Sequence, residues 1–426
     1  MNYTEIFDDV VEIMKHDSAT CKDIPGGDPA PFREKITADM TDDAFAELVG
    51  DYLLTFQLTG HLSFHNLPEG KLKRIPPVTV QRYDGALYVT RAAEDSDFSP
   101  GDRIIAMDGM TIDDAAKKYE PVFVGELPER QGMSWRFLLL RAKTVTVIKK
   151  GDIVSTEMPF LPSATGLPKR EYEIRQLSSD TLLMTLPGFD KLHCVEDLIK
   201  PNRRALWRCR YLVIDARGNV GGNSGEYHCL YPYCFPKGKR SYPVYASFAC
   251  ETNYTEQNCD LKRVILKDYG LKEDSLREYS EKRGQGFVTE VDSKKGNRVI
   301  RGRTRPKKVL ILTDEICGSS GDGFVAEMKC SPKVTVIGRA TAGINDYTDI
   351  CIKKYGDFSF MYPMKRSLLL DRGEGQARKG VPVDIHIPWT PEHLERDVEL
   401  ETALRLIEED RKTKSRFKAR GKERCI

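Results

Sequence analysis

The sequence predicts an α/β protein, in which a core of alternating strands and helices follows a β-rich region and a helical N-terminal segment. Three observations predict it. Continuous apolar runs such as Leu212-Val213-Ile214 and Val309-Leu310-Ile311-Leu312 are what a sheet covered on both faces requires. Between about 70 and 160, short alternating stretches separated by turn residues replace them. Residues 5–16 and 38–57 instead carry helical periodicity.

In order along the chain, 5–16 reads as an amphipathic helix and Pro25–Phe32 as a Gly/Pro-rich loop. In 38–57, Phe45, Leu48, Val49, Tyr52 and Leu53 recur at helical spacing, and Thr41-Asp42-Asp43 supplies an N-cap. The stretches 76–83, 85–92, 102–109 and 143–151 read as short strands, with a helix near 112–120. Strands are then expected at 181–187, 210–217, 307–314 and 333–340. Helices are expected at Val195–Leu206 and Ser320–Lys329. The final stretch, 411–426, is dense in Lys and Arg and reads as a solvated helix end that frays.

Lys+Arg is 66 against 64 Asp+Glu, a net charge of +2, so the overall balance points to neither nucleic acid nor a membrane as partner. No apolar run approaches the roughly 18–20 residues of a membrane span. The acidic, amphipathic start lacks the regions of a signal peptide, and the 11 cysteines are then expected as reduced thiols in the cytoplasm. Cys229, Cys234, Cys250 and Cys259 come closest to a metal pattern, but their spacing is not that of tight C-x2-C pairs, and no metal is expected.

Two stretches carry chemistry. Asp215-Ala216-Arg217-Gly218-Asn219-Val220-Gly221-Gly222-Asn223 follows a buried strand, and its glycines let the backbone turn sharply and aim N–H groups outward. A phosphate cradle, an oxyanion hole and a plain tight turn all fit it. Thr313 to Phe324, with Gly318-Ser319-Ser320-Gly321-Asp322-Gly323, follows another strand and opens a helix. A serine there meets unpaired N–H groups and positive potential, which suits a nucleophile and equally an ordinary N-cap.

Taken together and in order, these stretches resemble the core of the C-terminal processing (tail-specific) serine protease family. The same order continues with Gly338-Arg339-Ala340-Thr341-Ala342-Gly343 and Gly380-Val381-Pro382-Val383-Asp384. The resemblance covers roughly 180–405 and implies a ClpP/crotonase-like protease core. It implies Ser319 as nucleophile, with Ser320 as close rival. It further implies an oxyanion hole from the Ser320 N–H and from Gly221, with Gly222 as alternative. The best-known branch places a dyad lysine where this chain has Ile344, so the serine needs another base. The tricorn-like branch takes a histidine at the place in the order occupied by His61; His65 is the less favoured candidate. The serine that precedes that histidine in the branch is replaced here by Gly60. Asp346, ahead of Glu374, is the expected partner orienting the histidine.

Upstream, Ser99-Pro100-Gly101-Asp102-Arg103-Ile104 resembles the strand–turn of a PDZ domain, which binds chain ends by adding a strand. The implied organisation is a helical segment at 1–70 carrying the base, a PDZ-like domain at 71–165 controlling access rather than chemistry, a protease core at 166–410 and a basic tail at 411–426. The implied activity is hydrolysis of peptide bonds in peptides or unfolded chains through an acyl-enzyme. No cofactor is called for, and homo-oligomers stay open. A catalytically silent peptide-binding pseudoprotease is the alternative, motivated by the missing lysine and the missing tricorn serine.

Overall fold

A computed structural model describes residues 2–58, 60–68, 74–123, 127–159, 161–162, 170–243, 249–268, 273–290 and 298–423, with the side chains of 74, 161–162, 273–275 and 414–423 left out. The start of the β-rich region near 71 and its end near 165 lie outside these residues, as do the side chains of most of the basic tail.

The core is a six-stranded sheet. Glu173–Ser178 pairs antiparallel with Thr181–Thr185, and Tyr211–Asp215, Lys308–Thr313, Val334–Gly338 and the short Ile385–His386 follow in parallel. Every residue of Tyr211–Asp215 is buried, as its continuous apolar run requires. One face packs against the helices Cys194–Arg208 and Ser320–Lys329, through Val195, Ile199, Leu206, Phe324 and Met328. The other is covered by helix Val398–Glu423, through Ala403 and Ile407. Because the strands are parallel, Asp215, Thr313 and Gly338 end on one edge, and the turns that follow them gather there.

The N-terminal helices do not form a separate body. Tyr3–His16 is closed by an Asn2–Glu5 capping box, and Asp42–Leu54 is capped by Thr41, whose side chain accepts from the Ala44 N–H. A short helix, Ala30–Arg33, begins inside the stretch expected as loop. Phe7, Val10, Phe45, Tyr52 and Phe56 share one core with Phe64, Phe360, Tyr362 and Met364. That core lies on a five-stranded sheet in which Ser63–Asn66 and Tyr347–Tyr355 pair with Phe358–Ser367. Residues before 67 are therefore built into the same body as residues after 347.

The β-rich region has its own six-stranded sheet, running through Val78–Tyr83, Ala86–Ala92, Arg103–Met107, Thr144–Lys149 and Asp152–Glu157, with Met110–Thr111 beside the third. Its core is Val80, Leu87, Ile104, Val145 and Val147 around the buried Trp135. Trp135 comes from helix Gly132–Leu139, which the sequence pattern did not reveal. The expected helix near 112–120 is Ile112–Lys118.

Candidate active site

Two glycine-bearing turns meet at the edge where the parallel strands end. Asn219 is wholly buried; its amide donates to the Leu186 carbonyl (3.0 Å), its side-chain oxygen accepts from Gly221 N–H (2.9 Å), and its carbonyl accepts from Gly318 N–H (2.9 Å). The Asp314 carboxylate ties the same turns from the other side, accepting from Gly218 (2.9 Å), Ile316 and Cys317 N–H. Burial and the neighbouring Glu315 raise its pKa. Gly221, at φ +89°, lies so close to the second turn that a Cβ would fall 2.7 Å from Ser319 Cβ and 2.9 Å from Ser320 N. A Cβ on Gly222 would fall 2.2 Å from the Phe189 carbonyl. Neither position admits a side chain.

The adjacent serines differ. Ser319 sits at φ 55°, ψ −121°, a conformation strained for any residue but glycine, and its side chain does not cap the helix it precedes. Ser320 Oγ donates to the Gly222 carbonyl (2.5 Å). Of the two hydroxyls, that of Ser319 has no hydrogen-bond partner among the described residues. Ser320 N–H, in the first turn of its helix, has no intrahelical acceptor.

The loop Ala340–Tyr347 closes the site from the third strand. Asp322, fully buried in the helix after Ser319, accepts from Gly343 N–H (2.8 Å) and Ile344 N–H (3.0 Å). Burial raises its pKa to about 6, against the pull of the Thr341 hydroxyl and the N–H groups of Gly343, Ile344 and Ser319. Asp322 is thus the clamp between the serine helix and this loop. Thr341 Oγ1 also accepts from Val381 N–H (2.8 Å), so the last two glycine motifs lie against each other.

His61 reaches this loop from the N-terminal segment. Its backbone turns at φ 53° directly after Gly60 at φ +71°. Ile344 packs between Gly60 and Gly318: a Cβ on Gly60 would meet Ile344 Cγ2 at 2.9 Å, and one on Gly318 would meet Ile344 Cδ1 at 3.2 Å. The residue at the dyad-lysine position thus spans from the histidine turn to the serine turn. His61 Nδ1 lies 2.6 Å from the Tyr347 carbonyl. Burial lowers the imidazole pKa, while the carbonyls of Tyr347 and Ile344 pull it upward. His65 instead sits in strand Ser63–Asn66, paired with Ser359.

The carboxylates expected to orient the histidine are engaged or placed elsewhere. Asp346 Oδ2 accepts from Ala377 N–H (2.6 Å), and a Cβ on Gly375 would lie 3.0 Å from it, so Asp346 shapes the 375–377 loop. Burial raises its pKa, opposed by the Ala377 and Gln376 N–H groups. Glu374 is exposed beyond that loop. The groups that meet the His61 ring are backbone carbonyls, of Tyr347 and Ile344, which sequence pattern cannot display. The Gly221 N–H, first choice as second oxyanion donor, is given to Asn219, whereas the Gly222 N–H has no acceptor among the described residues.

The β-rich region touches the same loop. The Arg130 guanidinium, mostly buried, donates to the carbonyls of Ala340 (2.7 Å) and Thr341 (2.8 Å), and the Gln81 amide donates to Glu315. Glu315 in turn accepts from Arg339 (2.8 Å), which also donates to Glu399 (2.8 Å) at the start of the covering helix. Arg130 lies in a stretch without pattern and was not anticipated.

Residues 181–387 match the model of peptidase family S41. Among solved structures, a mutant of CPAF superposes with a TM-score of 0.60 at 13% identity, covering 92% of this chain and 94% of that one. CPAF complexed with lactacystin gives 0.58 at 13% identity, with 92% and 95% covered. The photosystem II D1 C-terminal processing protease gives 0.46 at 11% identity, with 92% and 94% covered. No curated protein matches the sequence.

Proposed function

With a peptidase family S41 domain over residues 181–387, the chain is a serine-type peptidase, and we propose that it hydrolyses peptides or unfolded chain segments through an acyl-enzyme on Ser319, with His61 as general base. The observation that carries this reading is the difference between neighbouring serines. Ser320 Oγ is bonded to the Gly222 carbonyl, while Ser319 Oγ, on a strained helix start, has no partner among the described residues.

In this mechanism the Tyr347 carbonyl accepts from Nδ1–H of His61, which selects the tautomer with a basic Nε2. Nε2 takes the Ser319 proton as Oγ attacks the substrate carbonyl. The oxyanion is met by the N–H groups of Ser320 and Gly222 at the positive end of the serine helix. The imidazolium then protonates the leaving amine, and water attacks the acyl-enzyme by the same route in reverse. Burial keeps His61 neutral at pH 7, the state a base requires. The carbonyl replaces a carboxylate partner, so the imidazolium is stabilised by a dipole rather than a full charge.

The β-rich region is read as PDZ-like. In support, Gly101 turns at φ +96° and Asp102 accepts from the Ser99 N–H (2.9 Å), holding the turn ahead of strand Arg103–Met107. Through Arg130 it also steadies the loop facing Ser319, which adds to the role in access expected from sequence. The test of the catalytic reading is labelling by a fluorophosphonate probe: Ser319→Ala is expected to abolish it and Ser320→Ala to retain it.

A further inference from the structure

Three segments distant in sequence converge where the parallel strands begin, at the opposite end of the sheet from Ser319. The last turn of helix Cys194–Arg208 lies beside the chain that follows strand Arg298–Gly302: Arg305 donates to the Arg208 carbonyl (3.0 Å) and Lys307 N–H to the Arg210 carbonyl (2.7 Å). Strand Gly238–Tyr242 pairs with Arg298–Gly302, setting Lys239 directly opposite Arg301. No Asp or Glu occurs in 201–210, 236–243 or 298–308. Lys239, Arg240 and Arg301 are exposed, and none has an ion-pair partner among the described residues. Nearby Asp180 is held by Arg411, and Asp410 by Tyr211 (2.6 Å). Like charges directly opposite in a ribbon are destabilising, and a multivalent anion relieves them.

The face is also aromatic. Trp207, 44% exposed, walls a concavity of about 410 Å³ together with Lys237, Arg303 and Arg305. The Arg303 guanidinium lies 4.9 Å from the indole ring. An anionic membrane surface and an acidic polypeptide both offer charge without a row of flat aromatic faces to stack on the indole. A chain that alternates phosphates with aromatic faces matches both features.

We propose that this face binds single-stranded nucleic acid, with Trp207 as the stacking platform and the Lys239/Arg301 ribbon taking phosphates. It lies at the opposite end of the sheet from Ser319 and is independent of peptide cleavage.

The test uses the full chain and fluorescein-labelled oligo(dT) and oligo(U), read by anisotropy. Raising salt from about 50 to about 200 mM should weaken binding roughly fiftyfold, as about four phosphate contacts require. Trp207→Ala should weaken it about five- to a hundredfold with the salt slope kept. Lys239→Glu with Arg301→Glu should lower both affinity and slope. Fluorophosphonate labelling of Ser319 should be unchanged in every variant, which verifies the fold and separates this site from the catalytic one. Three results would each overturn the proposal: no oligonucleotide binding at low salt, binding indifferent to Trp207→Ala, or equal binding to polyglutamate or to anionic-lipid vesicles.

Discussion

Ser320 donates its hydroxyl to the Gly222 carbonyl over 2.5 Å, and this bond locks the serine turn onto the glycine turn while the preceding hydroxyl, that of Ser319, has no partner among the described residues. Both turns are then one rigid piece, joined again by Asn219 and Asp314. Preorganisation of this kind aims N–H groups before charge develops.

Ser319→Ala is expected to remove all cleavage of an unfolded substrate while the thermal melt stays within a degree or two. Ser320→Ala leaves the Gly222 carbonyl without its donor, at a cost of about 1–3 kcal/mol, and should retain probe labelling at a reduced rate. Labelling that survives in the first variant and vanishes in the second would move the nucleophile by one residue.

For His61→Ala, kcat/KM should fall by roughly 10²–10⁴, the usual span of general-base catalysis. In the parent enzyme kcat/KM should rise with pH through an inflection below the ordinary imidazole value, because burial favours the neutral ring. An inflection above pH 7, or a variant within tenfold of the parent, would point to a different base.

Asp322→Asn should lower kcat roughly ten- to a hundredfold with little change in KM, since an amide cannot accept from Gly343 and Ile344 at once. A second readout comes from stability. The folded carboxyl titrates near 6, above its unfolded value of about 3.9. Its contribution is present below the unfolded value and lost as pH rises through about 6. Urea melts between pH 4 and 6 should therefore show a slope that the variant flattens.

Gly221→Ala combines a positive φ with a Cβ 2.7 Å from Ser319 Cβ. Strain and overpacking of about 1–3 kcal/mol each should fall on the serine turn. Probe labelling should drop at least a hundredfold, and Gly218→Ala, where a Cβ has open space, should drop it far less.

Arg130→Ala should slow both labelling and peptide cleavage about tenfold or more by freeing the Ala340 and Thr341 carbonyls, with Arg130→Lys intermediate because an ammonium lacks the planar fork. An unchanged labelling rate, with only substrate preference altered, would restrict the β-rich region to access.

The core strands were legible because burial on both faces leaves unbroken apolar runs such as Val309–Leu312, and the serine junction because strand, glycines and helix follow in sequence. Contacts that depend on backbone atoms were not. The Tyr347 carbonyl beside His61, and the Asn219 oxygen that claims the Gly221 N–H, have no side-chain signature. Asp322 carries the same letter whether it caps a helix or clamps a loop. The Lys239–Arg301 face vanished in a net charge of +2, since summing over the chain erases where charges sit. The N-terminal helices looked like an appendage because their core partners, Phe360 and Tyr362, lie some 300 residues on.

That last pairing puts a clock on the enzyme. His61 is fixed by the Tyr347 carbonyl, and the strand beside it, Ser63–Asn66, zips onto Phe358–Met361. At roughly 5–20 residues per second, a ribosome needs about a quarter of a minute to a minute to deliver the second half of that seam after the first. Until then the growing chain carries a histidine without its anchor and, for most of the interval, no Ser319. With Ser319 and His61 in the roles proposed, the chain is thus born unarmed, and neighbouring nascent chains meet it as a catalyst only after the Phe358–Ser367 strand has left the tunnel.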